Sequence, residues 1–377
     1  MSPVLAQHAD GSARPAWFDG AIAQVLACAG TLTSAQDARE LDQLVAEMLG
    51  EELFAVLQDG WGLWWGWWFG ELVDATMERI EEVPGPEREA AVWLLHGLAA
   101  QVGNMADAML REAREQAGEP VPDWLSGVGQ VSATGRITRL RDTFGTRFGV
   151  IAEFTYPGST DRHCYLFDVD ASGFVVLAGA GVHDDMGQAA EVWRARTGEP
   201  DAEAVVVEDP AELACLVHLS TGNEIMVRGD ESREIMNNWF RVHTLIGALA
   251  RKLEARGTPL PAACSLYHDL DITMMVDPFN AWYLQTHEAK PDPDALDALA
   301  AEWMEGALPE TWFSASPERI RFQRVLISDW VPDNPVTLAV IALLPEWVRW
   351  LGDRAGLAPY RMRQLLEATA VDLASIR

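Results

Sequence analysis

The fold turns on RFGVIAEFTYPGSTDRHCYLFDVDASGFVVL, residues 147–177. Two runs in it, 147–156 and 163–170, are dense in β-branched and aromatic residues. PGSTD at 157–161 and ASG at 171–173 punctuate them. Runs of this length and composition, bounded by Gly, Pro, Asp and Ser, read as strands joined by hairpin turns. A similar run at 136–142 precedes them across TFGT, and a shorter one at 174–177 follows ASG. The expectation is a small antiparallel meander. A helix over 186–196, a strand over 204–207 and a helix start at Asp209-Pro210, with Glu212 three residues after the cap, continue the pattern. A last strand is expected at 224–228.

Outward from this centre the texture is helical. Before residue 127, apolar residues recur at helical spacing over 17–29 and 34–49, and over 87–117, where Gly118 and Pro120 close the run. Gly50 reads as a helix stop. After residue 229, Ile235, Trp239, Val242, Leu245, Ile246 and Leu249 share one helix face. Asp294, Ser316-Pro317, Asn334-Pro335 and Pro359 each read as helix starts. The very apolar run 336–350 carries Pro345 and Glu346, so it reads as a kinked core helix rather than a membrane span. The fold class is therefore α+β and mostly helical: a Trp-rich all-α region over 1–126, an α+β centre over 127–229 and a mainly helical region over 230–377.

Within the first region, DGWGLWWGWWFGEL at 59–72 holds five of the chain's sixteen tryptophans. Its uncharged stretch is shorter than the roughly 20 residues a span needs. Trp61, Trp64, Trp65 and Trp68 follow one helix face, while Gly62, Gly66 and Gly70 lie four apart beside it. Helix-interior glycines cost about 1 kcal/mol each, which suggests close approach of a second backbone. The stretch reads as a core helix, or as an interface through those four tryptophans. A base-stacking platform is disfavoured, because no Lys or Arg lies between residues 58 and 77.

The net charge is −29, with 57 acidic against 28 basic residues, and the acids are spread rather than run together. Such a surface repels phosphate backbones and disfavours nucleic acid, while a basic protein partner or a second copy of the chain remains compatible. Cys28, Cys164, Cys215 and Cys264 are isolated, which argues against a zinc ribbon or a disulfide framework. No charged start followed by an apolar block opens the chain, so a cytoplasmic location without a membrane is expected.

No phosphate loop, dinucleotide fingerprint, nucleophile elbow or HExxH motif is present. Three candidate sets remain. Asp168 and Asp170 alternate onto one strand face, with His183, Asp184 and Asp185 after the next strand. These are ligand types for a divalent metal that would activate water in a hydrolase. The same residues also suit a turn and a helix N-cap. The run at 168–173 resembles the opening of a calcium-binding loop but lacks its later ligands and closing glutamate. Arg136, Arg139, Arg141 and Arg147 form a basic set able to hold a phosphate or nucleotide, or to pair with the acidic N-terminal third. The tryptophans are the third set. The leading expectation is a non-catalytic interaction or regulatory protein acting through protein contacts. A metal-dependent hydrolase and a nucleotide or small-ligand sensor are the alternatives.

Overall fold

The computed structural model describes residues 16–58, 65–102, 122–159, 161–221, 232–262, 266 and 270–370. Among these, twelve helices surround one five-stranded antiparallel sheet, an α+β and mostly helical architecture. The strands are β1 (Ser132–Arg141), β2 (Arg147–Thr155), β3 (Arg162–Asp170), β4 (Val176–His183) and the short β5 (Val205–Val206), ordered β4-β3-β2-β1-β5. The meander follows from the sequence. The first two turns carry glycine where φ is positive, at Gly145 and Gly158, and the β2–β3 register runs unbroken from Arg147↔Asp170 to Thr155↔Arg162.

β2 and β3 each hold seven consecutive buried residues, because both sheet faces are covered. On one face, Phe148, Val150, Phe154, Tyr165 and Phe167 pack against α7 (Ser232–Glu254), through Val242, Leu245, Ile246 and Leu249. On the other, Ile151, Cys164 and Leu166 meet Ala189, Ala190 and Trp193 of α5 (Met186–Thr197). Helix α5 starts where Asp185 accepts the N–H of Gln188 and ends at Gly198 in the left-handed conformation. α6 (Ala214–Thr221) follows a 3₁₀ turn whose cap is Asp209, as its sequence indicates.

The N-terminal helices are α1 (Phe18–Cys28), α2 (Ala38–Gln58), α3 (Trp65–Glu82) and α4 (Pro86–Val102). α2 does not stop at Gly50. The glycine sits where α7 crosses: a Cβ there would stand 2.4 Å from the Asn237 Cα. Gly97 of α4 plays the same part against Val45, at 2.3 Å. Close approach therefore occurs at these two glycines. Gly70, on the expected glycine line, has nothing within 4 Å.

The C-terminal helices α8 (Thr273–Tyr283), α9 (Pro293–Met304), α10 (Pro317–Ser328), α11 (Pro335–Arg354) and α12 (Pro359–Ala370) share a separate core built on Phe279, Trp303, Trp347 and Trp350. Asp292, Ser316 and Asn334 cap α9, α10 and α11, each followed by proline. α11 is long and apolar enough to cross a bilayer by length and composition, but half of that window is buried in this core. Residues 103–117 of the helix expected over 87–117, and the strand expected at 224–228, lie outside the described residues.

Candidate functional site

The meander carries the aspartates, and alternation does put Asp168 and Asp170 on one face. Asp168 is fully buried there and already committed. Arg147 donates to both its oxygens, Nε at 2.9 Å and Nη2 at 2.8 Å, and the Trp193 indole N–H donates at 3.1 Å. Arg196 Nη1 adds charge at 3.8 Å. Gly149, opposite Asp168, and Gly179 leave room for Trp193 and Arg196: a Cβ would stand 2.7 Å and 1.7 Å from them. Asp168 is the electrostatic pin between α5 and the sheet.

The expected metal set is not assembled. His183 pairs with Cys164 while Asp168 pairs with Gly179, four residues or about 13 Å further along the strand. Asp170 folds back onto the N–H of Ser172, Asp184 donates its N–H to Gln188, and Asp185 is the α5 cap. His183 is half-buried, and burial, followed by Arg196, holds its pKa below the ordinary value. Among the described residues no three His, Cys, Asp or Glu side chains are grouped to hold a metal ion.

The four arginines divide for the same reason. Even and odd positions of β1 face opposite ways, so Arg136 lies on the α5 face and Arg139 and Arg141 on the other. Arg136 pairs with Glu153 at 2.7 Å. Arg139 stacks 4.2 Å over Phe148 and pairs with Glu310 at 2.5 Å. Arg141 reaches Ser314 Oγ and the carbonyls of Gly145 and Glu310. These partners belong to the sheet and to the C-terminal region, not to the acidic N-terminal third. The set ties the sheet to its surroundings and presents no single phosphate-binding surface.

Of the tryptophans, Trp68 has no exposed surface and donates its indole N–H to the Phe18 carbonyl at 3.2 Å. It is a core residue, because an indole without exposed surface can meet no partner. Trp61 and Trp64 lie outside the described residues, and Trp65 opens α3.

A site that the sequence patterns did not flag lies at the opposite end of β3. The β2–β3 turn, the start of α2 and the 3₁₀ turn Asp123–Gly127 enclose a cavity of about 480 Å³. Its wall contains Asp37, Arg39, Asp123, Trp124, Tyr156, Asp161 and His163. His163 is 2% exposed, stacks between Phe154 and Tyr156, and its Nε2 has no hydrogen-bond partner among the described residues. Burial, then the charges of Arg241 and Arg39, lowers its pKa to about 3, so the imidazole is neutral. Asp123 and Asp161 are exposed at the rim.

Tyr156 is anchored from behind. Its hydroxyl donates to Asp42 Oδ2 at 2.7 Å, Gln101 Nε2 donates to Oδ1 at 2.5 Å, and the buried Arg241 stands 3.6 Å away. Burial first, and then Asp42, drives the Tyr156 pKa far above its ordinary value, so the phenol remains a donor. The only sequence signal for this cavity was a histidine at the mouth of a strand behind a Pro-Gly turn.

Compared with protein-family models, curated proteins and solved structures, the chain matches none.

Proposed function

We propose that this chain is a non-catalytic interaction protein of the cytosol that receives a basic side chain of a partner protein in the cavity beside His163. The observation that carries this reading is the chemistry of the wall. Carboxylates stand at Asp37, Asp123 and Asp161, π-faces at Trp124 and Tyr156, and a buried neutral imidazole at His163. A guanidinium or ammonium is the group that all three attract. With its proton on Nδ1, the imidazole offers Nε2 as an acceptor for an N–H donor. Three carboxylates against the one guanidinium of Arg39 leave the wall at −2 (−3 + 1).

The net charge of −29 adds long-range attraction for a basic partner and repulsion for nucleic acid. Asp123 and Asp161 act by charge and Trp124 by stacking. His163 is the acceptor at the floor, and the Asp42 network keeps Tyr156 in place.

The test is the anisotropy of a labelled peptide with arginines spaced by glycine, titrated at 150 mM ionic strength, about the physiological value. Asp123→Asn/Asp161→Asn should weaken binding about tenfold, since each exposed ion pair is worth up to about 1 kcal/mol. A control of equal charge, Glu288→Gln/Glu305→Gln, should change it less than about twofold. Equal losses in both variants would mean attraction to the acidic surface at large and would remove the cavity from the account.

A further inference from the structure

β4 is an edge of the sheet, and its outer side is an open ladder. The Ala171 N–H bonds to the Thr146 carbonyl, so the odd residues of β3 bond to β2 and the even ones to β4. Leu166 pairs with Gly181 and Cys164 with His183, which makes Gly181 and His183 the residues that bond inward to β3. Ala180 and Val182, about 7 Å apart, direct their N–H and C=O groups out of the sheet. Among the described residues no hydrogen bond meets those groups. Edge strands are usually blunted by charge, proline, a bulge or a cover, because an open ladder recruits another strand. From Val176 to Val182 β4 carries neither charge nor proline, and its register shift lies before Ala180.

A cavity of about 440 Å³ runs beside this stretch, between α2, α5 and α7. Its two sides differ in chemistry. Toward α5, a Cβ on Gly181 would meet nothing nearer than His183 Nε2 at 3.8 Å, and Leu166 and Val192 line the wall. Toward α2, the wall carries Glu47, which accepts from Gln43 at 2.8 Å and makes no ion pair among the described residues. The other charges of the wall are matched, Arg196 with Glu234 at 2.8 Å and Arg241 with Asp42 at 3.6 Å. The complement is a backbone with donors and acceptors at strand spacing, an apolar side chain toward α5 and a basic one toward α2.

We infer that the β4 edge takes an extended, basic segment of a partner protein as an added antiparallel strand, bonded to the backbones of Ala180 and Val182 with a basic side chain on Glu47. This surface is distinct from the cavity beside His163.

The probe is the peptide acetyl-Val-Lys-Val-Lys-Val-amide, titrated into the full chain at about 150 mM ionic strength while backbone amide signals are followed by NMR. The Val182 amide signal should shift and saturate. Directly opposed residues of an antiparallel pair share a face, and Ala180 and Val182, paired with Phe167 and Tyr165, face α7 and α2. The lysines of the peptide therefore form the bonds to β4. N-methylation of both lysines should weaken binding about tenfold, the loss of two neutral hydrogen bonds, whereas N-methylation of the central valine should change it less than about twofold. Val182→Pro removes an outward N–H that β3 does not use and should weaken binding by at least about threefold. Should that variant misfold, the N-methylated peptides decide the matter on the wild-type protein. Asp123→Asn/Asp161→Asn should bind this peptide within about twofold of wild type, which separates the inference from the proposed function. The inference is overturned if the Val182 signal stays unmoved, if the N-methylated peptides bind alike, or if binding is lost with the Asp123 and Asp161 charges. It is also overturned if the chain forms a dimer that Val182→Pro dissolves, since a second copy would then occupy the edge.

Discussion

Replacing Asp168 by alanine separates a structural pin from a metal ligand. The carboxylate is fully buried and receives two N–H bonds from Arg147 and one from Trp193. Removing one member of a buried ion pair costs about 3–5 kcal/mol, because the other charge is left uncompensated. Arg147 is 26% exposed, so water recovers part of that cost. The stranded Trp193 N–H adds about 1–3 kcal/mol. The expected loss is about 4 kcal/mol, or about 5 °C in Tm for a chain of this size. Chemical denaturation with parallel thermal scans measures it. Asp168→Asn keeps the shape but not the charge and should fall between wild type and alanine. A cycle with Arg147→Met should return a coupling of about 2 kcal/mol. EDTA should leave the wild-type Tm unchanged. A wild type that loses stability in EDTA, with Asp168→Ala stable but unresponsive to metal, would refute the pin and restore the metal reading.

Two further outcomes follow from the packing. Gly50→Ala gains about 1 kcal/mol of helix propensity, but its Cβ would stand 2.4 Å from the α7 backbone, so a net loss of about 2 kcal/mol or more is expected in urea titration; Gly70→Ala, with open space around it, should be neutral or stabilising. For pH, His163 has a folded pKa of about 3 against the ordinary 6.5, so the unfolded chain binds the extra proton in between. Its contribution is full above pH 6.5 and declines by about 1.4 kcal/mol per unit as pH falls toward 3, a slope that His163→Phe should remove. Asp142 runs the opposite way. Burial raises its carboxyl to about 6 against 3.8, so its contribution is full below 3.8 and is lost as pH rises to 6. Asp142→Asn should flatten that limb of the stability curve.

Much of the fold was legible. The runs at 147–156 and 163–170 became β2 and β3 within a residue, because both carry β-formers between Gly- and Asp-containing turns. Ser316-Pro317 and Asn334-Pro335 located α10 and α11, and Pro359 located α12, whereas α9 is capped by Asp292, two residues before the expected Asp294. Three features were hidden for physical reasons. β4 extends through GAG to His183, and Gly179 in it makes room for Arg196, a tertiary cause that local propensity does not register. Gly50 reads as a stop in one dimension and as a crossing point in three. Pro278 lies inside α8, where local rules expect a break. For the sites, simple alternation already divides Arg136 from Arg139 and Arg141, whereas the cavity beside His163 draws on residues 37, 123, 156 and 163, a grouping only tertiary structure creates.

The most direct test of the central proposal follows the His163 ring itself. Histidine-labelled protein is titrated with the arginine peptide while the imidazole resonances of its eight histidines are recorded by NMR, with His163→Phe giving the assignment. The account requires the His163 signal to shift and to saturate in step with the anisotropy curve. A peptide that binds while the His163 signal stays unmoved would contradict it.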